Sequence, residues 1–321
     1  MRLTAQAERW PIAGAFTIAR GSKTEAHVVV TTVEADGHVG RGEATPYGRY
    51  GETVDGVLEQ IASLPVPLDR TALQALLPPG AARNAVDCAL WDLEAKRAGR
   101  PVWALAGLSA PKPVTTCYTL SLVSPAEMGR AARTQAQRPL LKLKIGGPED
   151  LDRVEAVRAN APASALVVDA NEGLSFDDLR RLAPELARLG VRLIEQPLPA
   201  GEDAALTGYD SPVLLCADES LHSRAELDAV TGRYGALNIK LDKAGGLTEA
   251  LALRAEARAR GLQIMVGCMV ATSLAMAPAV LLAQDAAVVD LDGALLLARD
   301  REPGLEAHGS VLSPPPSALW G

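Results

Sequence analysis

The sequence predicts an α/β protein: a (β/α)8-type barrel with an N-terminal α+β capping domain completed by the C-terminal tail. Two observations carry this expectation. First, polar residues recur where apolar runs stop: Lys144 in LLKLKI, Asp169 in ALVVDAN, Glu195 in VRLIEQP, Asp218 in VLLCADES and Lys240 in ALNIKLDK. Thr119 before them, and Cys268 and Asp290 after them, extend the series at intervals of 22 to 28 residues. That interval fits one strand, one helix and two short loops, and the runs are rich in Val, Ile, Leu and Ala, as parallel strands buried on both faces should be. Second, eight such strand ends in succession match a barrel whose chemistry gathers at the C-terminal ends of its strands. A doubly wound open sheet would use fewer repeats and a glycine-rich first turn, and no such turn is found here.

The elements follow in order. Residues 1–110 lack the strand–helix rhythm. Within them HVVVTTVEADGHVGRGEA reads as a β-hairpin turning at Asp36-Gly37. Helices are expected near 53–63, 69–77 and 82–98, the last with apolar Val86, Ala89, Leu90 and Leu93 and a terminating Gly99. PKPV at 111–114 reads as the linker into a barrel over 111–293. Residues 294–321 read as short strands and loops that return to the capping domain.

Composition narrows the function. With 321 residues, 48% of them hydrophobic, the chain can hold a barrel of about 250 residues and a smaller domain. A net charge of −7 argues against nucleic acid or an anionic membrane as partner, since both require a basic surface. MRLTAQAERWP lacks the apolar core of a secretory signal, and no apolar stretch is long enough to span a bilayer. Cys88, Cys117, Cys216 and Cys268 show no metal-like pairing and read as free thiols of a reducing cytoplasm. The four histidines form no cluster, so the chemistry is expected elsewhere. A homo-oligomer is compatible with all of this.

Asp169, Glu195 and Asp218 end three consecutive strands and would meet at one corner of the barrel mouth. Three bare carboxylates there would repel and hold protons. A hard divalent cation resolves the repulsion, and all-oxygen ligation favours Mg²⁺, with Mn²⁺ as a substitute. The plainer alternative, acids that cap helices or pair with rim arginines, suits one strand end better than three in a row. Lys142 and Lys144 are two apart on a strand and share a face. Lys240 lies four strands on, across the barrel. Amines on opposite walls with a cation between them suit proton transfer at a carbon beside a carboxylate, with the metal stabilising the enolate. An ordinary lysine pKa of about 10.4 would leave the amine protonated, so crowding, burial and the cation are expected to lower it.

The segments KLKIG, VVDAN, IEQPL, ADES and NIKLDKAGG resemble the enolase superfamily, in its muconate lactonizing enzyme subgroup, over essentially the whole chain. The resemblance implies Mg²⁺ ligands at Asp169, Glu195 and Asp218, an acid/base pair at Lys144 and Lys240, and an assisting Lys142. Asp290-Leu291-Asp292 places two carboxylates on one face at the last strand end, where they would attract a substrate ammonium. It resembles the DxD motif of the dipeptide epimerases, as FTIARGSKTEA, TPYGRYGE, AARNAVDCALWDLEAKR and GCM also do. The implied activity is epimerisation of a dipeptide, above all L-Ala-D/L-Glu, in peptidoglycan peptide recycling. The same resemblance implies substrate contacts from Thr119, from the Cys268 main chain, from Arg20 in a lid loop at 16–25 and from Arg49 in a second lid loop at 45–52. N-acylamino acid racemase, o-succinylbenzoate synthase and cycloisomerase are the alternatives within the subgroup. An N-acylated substrate would bring no amine for the DxD pair.

Overall fold

The structure is a computed structural model that describes residues 1–18 and 21–321. The chain opens with an antiparallel sheet of β1 (Arg2–Ile18), β2 (Gly21–Ala35) and β3 (His38–Ala44). The β2–β3 turn is at Asp36 and Gly37, both left-handed with φ of 52° and 76°, as a two-residue hairpin requires. β1 is the element that sequence reasoning missed. Its segment RLTAQAERWPIAGAFTI has little β-branched character and contains Pro11. It becomes a strand because β2 offers it a partner, and as an edge strand it tolerates the proline and a register break between Pro11 and Phe16.

Three helices follow, α1 (Val54–Ala62), α2 (Arg70–Leu76) and α3 (Ala81–Ala98). The side chains of Thr53 and Asp69 accept the amides of Gly56 and Ala72, satisfying donors that the first turns leave unpaired. α3 is buried over most of its length because it lies between two layers. β3 packs so closely on it that a Cβ at Gly42 would stand 2.2 Å from the Ala85 carbonyl oxygen. Toward the barrel, Arg83 donates to the carbonyls of Ala244 (2.7 Å) and Gly245 (3.1 Å).

After α4 (Val102–Leu105) and the short β4 (Val114–Thr115) come eight parallel strands in sequence order. They are β5 (Tyr118–Leu120), β6 (Leu140–Lys144), β7 (Ala165–Asp169), β8 (Val191–Glu195), β9 (Leu214–Ala217), β10 (Ala236–Lys240), β11 (Gln263–Gly267) and β12 (Val288–Asp290). The ring is drawn together between its last and first strands, where Cys117 N donates to Val289 O and Leu291 N to Thr116 Oγ1, each at 2.8 Å. Strand ends are level: Lys144 pairs with Asp169, Asp169 with Glu195, Lys240 with Gly267 and Gly267 with Asp290. Asp218 and Cys268 lie one residue beyond their strands, and Thr119 lies inside β5.

Alternation along each strand separates two environments. Val167, Leu193, Cys216, Ala236, Met265 and Val288 form one apolar cluster. Two residues on from four of them stand Asp169, Glu195, Asp218 and Asp290, so the same inward face carries the charges. The intervening residues pack against the outer helices: α5 (Pro125–Thr134), α6 (Leu151–Asn160), α7 (Phe176–Arg188), α8 (Leu227–Val230), α9 (Leu241–Ala244), α10 (Leu247–Ala259) and α11 (Ser273–Leu282). The helical layer departs from the regular pattern at two places, where β8 and β12 are followed by single 3-10 turns at Asp203–Leu206 and Gly293–Leu296. Among the described residues, no helix is long and apolar enough to cross a membrane.

The tail runs back over both parts of the molecule. Ala298 N donates to Pro11 O, Arg301 pairs with Glu8 and Glu43, and Trp320 Nε1 donates to Cys88 O. β13 (Ala307–His308) and β14 (Val311–Leu312) form a small sheet with β4.

Candidate active site

A cavity of about 770 Å³ lies over the C-terminal ends of the strands, between the barrel and the capping sheet. Thr119, Lys142, Lys144, Asp218, Lys240, Cys268, Asp290 and Asp292 line it from the barrel, and Lys23, Tyr47, Arg49 and Tyr50 from the cap. Asp169 and Glu195 lie beneath, with no exposed surface. Arg20, expected to reach a substrate carboxylate, falls outside the described residues.

Asp169, Glu195 and Asp218 stand side by side from β7, β8 and the end of β9, with an amine beside each. Lys144 Nζ is 2.5 Å from Asp169 Oδ2, Lys142 Nζ 2.6 Å from Glu195 Oε2, and Lys240 Nζ 2.6 Å from Asp218 Oδ2. Lys144 and Lys240 come from β6 and β10, opposite walls of an eight-stranded ring, with Glu195 on the strand midway between them. Lys142 also reaches Asp290 Oδ2 at 2.6 Å and Asp169 Oδ2 at 3.2 Å.

These pairings act against the expected lowering at Lys142 and Lys240. Burial does oppose the charge on Lys142, but Asp290, Glu195 and Asp169 outweigh it and hold the group well above its ordinary value. The same balance, set by Asp218 and Glu195, raises Lys240. Burial likewise opposes ionisation of Asp169 and Asp218, yet Lys144 and Lys142 hold the first, and Lys240 and Lys243 the second, below the usual carboxylate range. At Glu195 the balance runs the other way, despite Lys142 and Lys240 nearby. Burial, then Asp169, pushes its carboxyl up to about 7. Its Oε2 lies near Lys142 without hydrogen-bond geometry, so an acceptor with no exposed surface faces the cluster unsatisfied.

The donor set suits a hard cation: three buried carboxylates on adjacent strands, one with an unsatisfied oxygen. The atoms that already lie within 4.8 Å of one another are a different trio, Cys117, Asp290 and Asp292. The three expected ligands do not meet that spacing, and lysine amines stand among them.

The Asp290–Asp292 pair already has partners within the protein. Asp290 is engaged by Lys142 and by the Cys117 thiol, which donates to Oδ1 at 2.8 Å. Asp292 Oδ2 accepts the Thr119 amide at 2.6 Å, which holds the acid beside the cavity wall. Burial and the neighbouring Asp290 push the Asp292 carboxyl up to about 7. Cys268 is partly exposed in the cavity wall, with its thiol against Gly293. Arg49 makes a bidentate pair with Glu172, both contacts 3.0 Å, bridging the lid segment to the loop after β7.

Sequence reasoning passed over several groups that shape the site. Lys243 Nζ contacts Asp218 Oδ1, and Asn238 Nδ2 donates to Glu195 Oε1 at 2.7 Å. Gln196, left-handed at φ 35°, accepts the Asp218 amide at 2.8 Å. Tyr50 stacks edge-on against His222 at 4.6 Å. Asn238 and Gln196 sit within quoted strand-end segments, and Lys243 follows Lys240 by three residues. Their contacts cross between strands, which spacing along one chain does not display.

Residues 1–107 match the mandelate racemase/muconate lactonizing enzyme N-terminal domain, and residues 126–306 the enolase C-terminal domain-like family. The chain belongs to this family. Its chain is 48% identical over 306 residues to an L-Ala-D/L-Glu epimerase of Escherichia coli strain K12, covering 93% of this chain and 95% of the relative. It is 44% identical over 301 residues to an N-acetyl-D-glutamate racemase of a Pseudoalteromonas species, covering 92% and 95%. It also superposes with a TM-score of 0.97, at 51% identity and 99% coverage of both chains, on a solved enolase family member from Agrobacterium tumefaciens with homology to dipeptide epimerases. That structure holds sodium and L-Ala-L-Glu, with an ordered loop.

Proposed function

We propose that this protein is a Mg²⁺-dependent dipeptide epimerase acting on L-Ala-D/L-Glu, with Mn²⁺ as a working substitute, in cytoplasmic recycling of peptidoglycan peptides. The observation that carries the reading is the opposed placement of Lys144 and Lys240 on either side of Glu195. A divalent cation held by Asp169, Glu195 and Asp218 would supply Lewis-acid stabilisation of a carboxylate whose α-proton is leaving, and would offset the negative charge that keeps Lys240 protonated. One of the two lysines removes the α-proton of the C-terminal residue as the free amine. The other, as the ammonium, returns a proton to the opposite face, which inverts the centre. Lys142 shares the inward face of β6 with Lys144 and steadies the substrate carboxylate. Asp290 and Asp292 hold the N-terminal ammonium, with Thr119 and Cys268 beside the peptide backbone. Arg20 and Lys23 are the cap's cations for the glutamate side chain, while Arg49, paired with Glu172, steadies the lid.

The test is proton NMR of L-Ala-L-Glu in D₂O. Deuterium should enter the glutamate α-position, and Lys144→Ala and Lys240→Ala should each abolish epimerisation. Retention of epimerisation by either variant removes the two-lysine mechanism.

One observation favours a second reading. Asp290 already bonds Lys142 and Cys117, as a site for an N-acylated glutamate without an ammonium would allow. Faster racemisation of N-acetylglutamate than of the dipeptide, at matched concentrations, would select it.

A further inference from the structure

The three central carboxylates share a pattern. Asp169 Oδ1 accepts the Asn171 amide at 2.9 Å, while Oδ2 faces Lys144. Glu195 Oε1 accepts Asn238 Nδ2, while Oε2 faces Lys142. Asp218 Oδ1 takes Lys243 Nζ at 2.6 Å, while Oδ2 takes Lys240 at 2.6 Å. In each case one oxygen is held by a group with no part in the proposed chemistry. The other faces a lysine that has one.

Lys243 is the unusual holder, because it is charged. It is 2% exposed, and its amine contacts the carbonyls of Asp218 (2.5 Å), Leu221 (2.9 Å) and Asn238 (3.1 Å) as well as the carboxylate. It therefore ties the loop after β9 to β10. Its own element, α9, is fixed from the cap by Arg83 on the following carbonyls and by Asn84 on Asp242 at 3.0 Å. Packing beneath is equally tight, since a Cβ at Gly267 would lie 2.5 Å from Asn238 Oδ1. An ammonium against a ligand carboxylate weakens cation binding by repulsion, so affinity for metal does not account for a lysine here.

We propose that Lys243 is a positioning residue that commits Asp218 Oδ1 and leaves Oδ2 as the one oxygen Asp218 offers a cation. Asp218 then ligates through a single oxygen, and a coordination position stays open for the substrate carboxylate. This inference rests on the metal site of the proposed function.

The experiment measures two affinities on the metal-stripped full-length protein and on Lys243→Met and Lys243→Gln: Mn²⁺ by calorimetry, then L-Ala-L-Glu on the Mn²⁺-loaded protein. Without Lys243 the repulsion is gone and Asp218 can chelate through both oxygens. Lys243→Met should bind Mn²⁺ about tenfold more tightly and the dipeptide about tenfold more weakly. Lys243→Gln keeps a donor but not the charge, so it should share the tighter Mn²⁺ binding and lose less dipeptide affinity. General damage to the site would weaken both affinities together, and that result, or no change in either, overturns the proposal. If near-UV circular dichroism shows Lys243→Met unfolded, weaker Mn²⁺ binding by Lys243→Gln overturns it equally. Failure of the unaltered protein to bind Mn²⁺ would instead overturn the metal site itself.

Discussion

Two acidic corners share one barrel mouth, and their donors set them apart. The corner built from Asp169, Glu195 and Asp218 offers three hard oxygens, one from each carboxylate, and holds the second oxygens in place with Asn171, Asn238 and Lys243. The corner built from Asp290 and Asp292 mixes carboxylates with the Cys117 thiol and uses the Thr119 amide as a holder. Its ligand atoms lie closer together, yet it has one carboxylate fewer. Under the proposed function the first corner takes the divalent cation and the second the substrate ammonium.

The comparison breaks most directly at Glu195. Glu195→Gln should abolish measurable Mn²⁺ binding and slow α-proton exchange by about 10²–10³-fold, whereas Asp292→Asn should leave Mn²⁺ affinity within about twofold. Calorimetry and D₂O exchange rates check both, and equal metal loss in the two variants would erase the distinction between corners.

Asp292→Asn sharpens it next. KM for L-Ala-L-Glu should rise by about 30–100-fold as an ammonium partner is lost. KM for an N-acetylated dipeptide should hold steady, and a parallel rise would place Asp292 outside ammonium binding.

Arg49 gives a smaller effect. A clasp on Glu172 that steadies the lid predicts that Arg49→Ala raises KM by about two- to fivefold for L-Ala-L-Glu and L-Ala-L-Ala alike, in line with a half-exposed ion pair. A loss confined to the glutamate dipeptide would make Arg49 a side-chain reader instead.

The smallest effect is on stability. Burial pushes the Asp242 carboxyl, which accepts Thr45 N and Asn84 Nδ2, up to about 7. An acid with a raised native pKa favours the folded state while protonated, and its contribution declines as pH climbs from the unfolded value toward 7. Asp242→Asn should match the parent protein in Tm near pH 4 and exceed it by a few degrees near pH 8. A constant difference across that range would show that Asp242 does not titrate there.

Much of the site was legible because strand geometry repeats. An inward-facing charge at the end of each buried strand is conspicuous against Val, Ile and Leu, so Lys144, Asp169, Glu195, Lys240 and Asp290 stood out by position and type. The hairpin at Asp36-Gly37 was legible from turn chemistry. β1 was not, because its strand state comes from pairing with β2 and not from its own composition. The carboxylates that raise Lys142 and Lys240 were not legible as their partners, because they come from neighbouring strands and their distances depend on the closed ring.

The sequence by itself determined the barrel, the order of its charges and the face they share, since alternation and repeat length are properties of one chain read along its length. The tertiary structure alone decided which oxygen of each acid is held and which faces an amine. It also decided that Arg49 clasps Glu172, and that Lys243, unremarkable in KLDKAGG, grips Asp218. Those outcomes depend on distances of a few ångströms between segments far apart in the chain, and Coulomb and hydrogen-bond energies change steeply over that range.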